Sequence, residues 1–339
     1  MNITSAPARD AFGPAVAFLL FGVASGLGLD LCAKALLTTY SLEQFVFLRS
    51  AVGLLFFISI ARWYGGTSGL RSSRWRWHLL RTALASCSMF GFFYGLMYMP
   101  LVSALTLAFT APLIVTALSV PLLGEHVGWR RWLAVIIGFG GVLIVLRPGT
   151  GMFTAAAAAV LLAAACYAVL AITARKLAAT ESSFSLSVYV LTGPLVISAL
   201  LVPGRYTPPD AQGWLLFVLA GLCSAGAWIG VVGGYRRAPP AMLAPLEYTA
   251  LVGAAAAGYW IWGEVPDRWV TLGALIIIGS GLYIVHREMG ERMSARYLRV
   301  FTVVVDAVNA RRTRRGAMQT AAGSKAGEPP ELQKQPDAG

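Results

Sequence analysis

Charge is the scarcest ingredient of this sequence. Asp, Glu, Lys and Arg make up 12% of the 339 residues, roughly half of what a soluble domain carries. Hydrophobic residues make up 57%. With a mean hydropathy of +0.68 along the whole chain, one or two ordinary cores cannot hide that much apolar surface, so a soluble globular protein is excluded. Histidine is nearly absent: His78, His126 and His286 all fall at the ends of apolar runs, with no metal-ligand spacing. The four cysteines, Cys32, Cys87, Cys166 and Cys223, stand singly in apolar stretches. They read as small packing residues, and no disulfide framework or metal site is expected from them. The alternating segments of about ten residues that build membrane barrels are missing as well. Acid is rarer than base, 15 residues against 27, yet no basic stripe with interleaved stacking aromatics occurs, so nucleic acid is not an expected partner.

What the sequence does contain is long apolar runs. A membrane span needs about 20 mostly apolar residues. Ten runs meet that length, near 14–33, 44–63, 79–99, 103–123, 131–147, 152–173, 184–202, 213–234, 241–262 and 269–286. Residues 1–13 lack the basic stretch and cleavage pattern of a signal peptide, so the first run is expected to stay as a membrane helix. Connections are short; Met99-Pro100-Leu101-Val102 joins the third and fourth runs, which forces a tight antiparallel hairpin. After His286 the composition turns basic and then rich in Gly, Pro, Gln and Ser. Within this tail Met293, Tyr297, Leu298, Phe301, Val304, Val305 and Val308 have the spacing of a helix lying on a membrane surface. The remainder, from Arg311, has a disordered composition.

One displacement runs through the chain. Pro100 recurs as Pro239, Gly124-Glu125 as Gly263-Glu264, Trp75 as Trp214, Phe45 as Phe184 and Thr110-Ala111 as Thr249-Ala250, each 139 residues on. Gly91 and Gly95 recur as Gly230 and Gly234 at the same displacement. Rare residue types at one constant shift point to two homologous halves of five spans each. Because five is odd, the second half must enter the membrane from the opposite side, which gives an inverted pair. The expected organisation is all-α: a cytoplasmic amino terminus over 1–13, a first repeat over 14–147, a second over 150–286 and a basic cytoplasmic tail over 287–339.

Charge placement supplies an independent orientation. Loops on the amino-terminal side carry Arg9, Arg62, Arg71, Arg74, Arg76, Arg81, Arg130, Arg131, Arg175, Lys176, Arg236 and Arg237, whereas the opposite side carries Lys34, Arg147, Arg205 and Arg268. The asymmetry sets both termini in the cytoplasm, where anionic lipid attracts the tail. Nine of the ten tryptophans sit at span ends, as interfacial rings do. Trp228 alone is at mid-membrane depth.

The segments FLRS (47–50), MPLVSALTLAFTAPLIVTALSVPLLGE (99–125), GFGGVLIVLRPG (138–149), APLEYTALVGAAAAGYWIWGE (244–264) and GSGLYIVHRE (279–288) resemble the EamA family of the drug/metabolite transporter superfamily. The resemblance covers about residues 14–287 and rests on the Gly-Glu that ends the fourth helix of each copy, followed by a Gly-rich fifth. It implies a ten-helix inner-membrane carrier of small organic metabolites with a central cavity drawn from both halves. Members move amino acids, aromatic amino acids, S-adenosylmethionine, riboflavin and other compounds, and the motifs do not select among these.

Ionisable groups inside spans carry the most information, because each costs a few kcal/mol unless it is paired or faces a wet cavity. Arg49 falls about five residues into the second run, roughly 7 Å below the outer surface, in the same layer as Asp30. One reading is structural, an Asp30–Arg49 ion pair or an Arg49 that snorkels outward. The other has Arg49 presenting its planar fork to a substrate carboxylate. Glu247, whose counterpart in the first half is Ala108, lies roughly 9 Å from the inner face, at the depth of Trp228. A carboxylate and an indole at one level suit a cationic or aromatic moiety, while the structural alternative is a helix-locking hydrogen bond. Tyr248 is a further candidate for substrate binding, although on a straight helix it points about 100° away from Glu247. Tyr94, near the outer end of the third run, is a candidate vestibule residue together with Tyr98.

Pro112, Pro194 and Pro245 free backbone carbonyls inside spans and are candidate kinks or hinges. Glu125 and Glu264 are placed to cap the fifth and tenth helices or to act as gates. No catalytic residue, metal or cofactor is expected. The leading expectation is an alternating-access carrier of an amino acid or a similar aromatic compound. Arg49 and Glu247 stand roughly 14 Å apart along a 30 Å core, too far for one amino acid to touch both, which keeps open a larger solute such as S-adenosylmethionine or riboflavin. A non-transporting membrane enzyme or assembly factor is the alternative of another class. Expected partners are the solute and anionic lipid; the oligomeric state is left open, a homodimer included.

Overall fold

The computed structural model describes residues 9–60, 74–124, 127–147, 154–177, 183–238 and 240–287. Twelve helices follow one another there, with no strand among the described residues. They are α1 (Arg9–Leu36), α2 (Leu42–Ile60), α3 (Trp75–Tyr98), α4 (Leu101–Ala108), α5 (Ala111–Leu123) and α6 (Trp129–Leu146). Then come α7 (Ala155–Leu177), α8 (Ser183–Leu201), α9 (Ala211–Arg237), α10 (Pro240–Glu247), α11 (Thr249–Trp262) and α12 (Arg268–Arg287). Eight helical stretches are long and apolar enough to cross a membrane, with Leu101–Leu123 counted as one. Together with α8 and the α10–α11 pair they make up the ten expected. Glu125, His126 and the amphipathic stretch of the tail lie outside the described residues.

The fourth and ninth spans differ from the sequence expectation in one respect: neither is a continuous helix. The first breaks at Phe109-Thr110 and the second at Tyr248. Pro112 stands at the start of α5, where a missing N–H does no harm. Pro245 removes a donor three residues before the second break. α8, by contrast, runs through Pro194 without interruption. Both broken spans end alike, on a glycine in the left-handed region (Gly124 φ 68°, Gly263 φ 67°) whose N–H closes the last helical turn.

Close backbone approach sets the helix partners. α1 packs along α9, α3 along α7, α2 against α8 and α9, α3 against α8, and α4 against α11. A Cβ added at Gly230 would lie 2.4 Å from Gly22 Cα, and one at Gly91 would lie 2.7 Å from the Ala159 carbonyl. Lipid offers no hydrophobic drive between helices, so such small-residue seams supply van der Waals contact in its place. The innermost apolar cluster includes the rings of Tyr40, Phe45, Phe93 and Phe217, with Phe45 and Phe93 centroids 4.9 Å apart, edge to face. Outward, Leu55, Leu200 and Trp260 are 67%, 77% and 80% exposed, a level explained by hydrocarbon as the surrounding solvent.

At one end of the bundle, polar side chains bind residues before 148 to residues after 200. Lys34 donates to Glu264 and to the Met99 carbonyl (3.2 Å), Arg147 pairs with Asp267 and Arg205 with Glu43. Gln44 exchanges two hydrogen bonds with the Thr207 backbone (2.7 and 2.8 Å).

Candidate functional site

The inward face of α9 organises the polar interior. At 3.6 residues per turn, Gly221, Ser224, Trp228 and Tyr235 share one side of α9, away from the exposed Leu215, Leu219 and Leu222. Gly221 packs directly on Val52 of α2. Ser224 Oγ accepts a hydrogen bond from Arg49 (3.2 Å), and Tyr235 donates its hydroxyl hydrogen to Glu247 Oε1. Trp228 lies between those two polar poles along α9 and is 42% exposed. Ser224 and Tyr235 are eleven residues apart on α9, so the poles are separated by roughly 16 Å.

Arg49 does not snorkel. Its side chain is buried, 3% exposed, and a second guanidinium nitrogen donates to Met89 Sδ at 2.9 Å. The guanidinium carbon stands 5.5 Å from the Phe93 ring centroid. Asp30 lies within electrostatic range of this cation but makes no ion-pair contact with it among the described residues. The two charges are neighbours without being a closed pair, and Arg49 Nε is buried without a partner. That geometry leaves donor capacity for a carboxylate.

Glu247 ends α10 at the break. Its carboxylate is within electrostatic range of the hydroxyls of Tyr167, on α7, and Tyr248, as well as bonded by Tyr235. Neither Tyr167 nor Tyr235 was singled out from sequence; the pattern that could have marked Tyr167 is its place four residues after Ala163 and seven after Val160, on the face that packs on Gly91 and Gly95 of α3. Tyr167 is nevertheless 54% exposed. The helix break turns Tyr248 onto Phe109, ring centroids 5.0 Å apart. Tyr94 is further off, stacked on Tyr98 at 5.0 Å near the end of α3.

Glu264 caps a helix other than the one expected. It follows the Gly263 terminus of α11 and accepts the Leu101 N–H (3.0 Å), so it caps α4 across the molecule. The cap of α12 is Asp267, which accepts from the N–H groups of Trp269 (2.9 Å) and Val270 (2.8 Å). Its place just ahead of the tenth apolar run suggested Glu264 for that role; the left-handed Gly263 turns it back onto the bundle. Slight desolvation pushes the Asp267 carboxyl upward, but the Val270 and Trp269 amides and the Arg147 guanidinium outweigh it and hold it below the ordinary carboxylate range. Arg81, assigned to a loop from sequence, is instead buried in α3 and donates to the Leu170 carbonyl (2.8 Å) and Thr173 (3.1 Å) on α7.

Apolar helices that enclose isolated charges, with two spans broken inside the membrane, define a multi-pass membrane transporter. The chain belongs to the EamA-like transporter family, whose sequence model matches residues 14–147 and again residues 154–286. It is similar to an S-adenosylmethionine uptake transporter of Rickettsia prowazekii, at 33% identity over 83% of this chain and 94% of the relative. A riboflavin transporter of Vibrio cholerae is 30% identical over 74% of this chain and 83% of its own length. A crystal structure of a protein 19% identical in sequence superposes with a TM-score of 0.59, covering 82% of this chain and 98% of that one, a likeness of fold alone.

Proposed function

We propose that the protein carries an adenosylated sulfonium amino acid, S-adenosylmethionine or a close analogue, across the cytoplasmic membrane by alternating access. The observation that carries this reading is the separation of roughly 16 Å between the Arg49–Ser224 and Tyr235–Glu247 poles, with Trp228 between them. From the carboxylate to the exocyclic amine of its purine, such a compound spans about a dozen bonds, each advancing roughly 1.2 Å, or about 15 Å extended. A single amino acid reaches one pole only. Riboflavin reaches both but offers no carboxylate to Arg49. In the proposed pose Arg49 holds the carboxylate, Asp30 faces the ammonium and Trp228, one helical turn from Ser224, faces the sulfonium. The names of the relatives favour this larger solute over the amino acid expected first.

Two inverted halves supply the moving parts. Exchanging the halves maps the α1–α9 contact onto α7–α3 and the α2–α9 contact onto α8–α3, and leaves α2–α8 unchanged. Phe109 and Tyr248, 139 residues apart, stack on each other, as equivalent residues do beside a twofold axis. An axis there puts both helix breaks and Glu247 at the centre of the molecule, the usual place of a transporter site. The positive-inside asymmetry sets both termini in the cytoplasm and the Lys34–Glu264 end outside, so the cross-half ties at that end close the outer entrance in this conformation.

The test is uptake of labelled S-adenosylmethionine into proteoliposomes. Saturable uptake, competed by the unlabelled compound and not by methionine or riboflavin in tenfold excess, is expected. Folded protein that moves methionine or riboflavin and not the sulfonium would sink the proposal.

A further inference from the structure

We infer that the tyrosine cluster around Glu247 is the seat of a planar, amino-bearing nitrogen heterocycle, with the Glu247 carboxylate accepting its N–H. The inference rests on the adenosylated substrate proposed above and assigns which end of it each pole receives.

Four aromatic residues gather there from two helices and two helix breaks. Glu247 closes α10, Tyr248 occupies the break before α11, Tyr235 comes from α9, Tyr167 from α7, and Phe109 from the break between α4 and α5. Glu247 Oε1 is occupied by the Tyr235 hydroxyl. Oε2 accepts nothing among the described residues and is not sealed off. A largely buried carboxylate with one oxygen left over, set among phenol rings, has the components of a purine-type pocket: an acceptor for the edge and ring faces for the plane.

The alternative occupant of such a cluster is the onium cation itself, drawn by charge and cation–π contact. Reach decides between them. In the proposed substrate the sulfur lies four bonds from the carboxylate carbon, roughly 5 Å. With the carboxylate on Arg49, the sulfonium therefore comes level with Trp228, about 6 Å along α9 from Ser224, and falls well short of Glu247. Only the base, at the far end, covers the remaining distance. The negative end of α10 adds to the acceptor character of the site.

The test separates the two halves of the ligand. Affinities of purified full-length protein are measured for methylthioadenosine, which has the base and no amino acid, for its purine analogue lacking the exocyclic amine, and for S-methylmethionine, which has the sulfonium and no base. Tyr167→Leu and Glu247→Leu are expected to weaken methylthioadenosine at least tenfold and to leave S-methylmethionine unchanged; Arg49→Met does the reverse. In the wild type, removing the exocyclic amine weakens binding about tenfold, and in Glu247→Leu that difference vanishes, a result that a merely structural Glu247 would not produce. If Glu247→Leu fails to fold, Tyr167→Leu and the amine deletion on the wild type decide. Weakened S-methylmethionine with intact methylthioadenosine in these variants would place the cation at Glu247 and overturn the inference. A wild type that binds methylthioadenosine but ignores S-adenosylmethionine would keep the pocket and remove the proposed substrate, and one that binds neither would remove both.

Discussion

The two broken spans are built on one plan and differ where it matters. Leu101–Ala108 followed by Ala111–Leu123 is repeated 139 residues on by Pro240–Glu247 followed by Thr249–Trp262, each pair introduced by a proline and ended by a left-handed glycine. At the first break stand Ala108 and Phe109; at the second, Glu247 and Tyr248. Whatever the two share belongs to the scaffold, since the family's sequence pattern covers both stretches alike. What they do not share cannot be required by the scaffold, and a carboxylate inside a membrane is too unfavourable to persist without use.

Breaking the shared part should have the largest effect. Gly91→Val and Gly230→Val push a side chain into backbone on equivalent seams, and overpacking of this kind costs at least about 2 kcal/mol. Both variants are expected to lose monodisperse protein by size-exclusion chromatography, to similar degrees; one tolerant and one intolerant seam would break the equivalence of the halves. Next comes the asymmetric part. Glu247→Ala, which makes the second break like the first at that position, is expected to lower uptake per KM by roughly 10- to 100-fold, the loss of one charge-assisted bond to substrate, with the melting temperature little changed. Normal uptake there would mean that Glu247 only holds Tyr235.

A smaller effect is expected at the bundle end that joins the halves. Glu264→Gln removes the charge opposing Lys34 and should destabilise the protein by about 1.5–3 kcal/mol, measured as a lowered midpoint in detergent. The double variant Lys34→Met, Glu264→Leu should recover part of that loss, because no unpaired charge is left. If the double variant is no better than the single one, the pair is not coupled. The smallest effect is acid sensitivity at Asp267. Its folded-state carboxyl sits below the ordinary value of 3.8, so its contribution is complete above that value and is lost as pH falls through the lower, folded value. Thermal midpoints of the wild type and Asp267→Asn are therefore expected to differ slightly at pH 6 and to converge on acidification; a gap that widens in acid would contradict the assignment.

Much of the scaffold was legible in the sequence, and the site only in outline. The spans, the duplication and the family follow from run length, rare residues at one displacement and the Gly-Glu motifs. Arg49, Glu247 and Trp228 stood out because charge and indole at that depth are unusual. Their partners did not. Ser224 lies 175 residues from Arg49, and nothing in either segment announces the other. Tyr167 and Tyr235 looked like ordinary span residues, and Tyr248 was a candidate that a continuous helix would turn about 100° from Glu247; the break at Tyr248 changes that direction. Glu264 misled through local spacing, since its partner amide belongs to Leu101, 163 residues away.

By itself the sequence determined that this chain is a multi-pass membrane protein and that its two halves carry the same family unit, because insertion depends on the composition of each segment. The tertiary structure alone decided which side chains face one another. Rotation of each helix about its axis is set by glycine seams and side-chain interlocking with helices far away in the chain, and that rotation joins Arg49 to Ser224, Tyr235 to Glu247 and Phe109 to Tyr248.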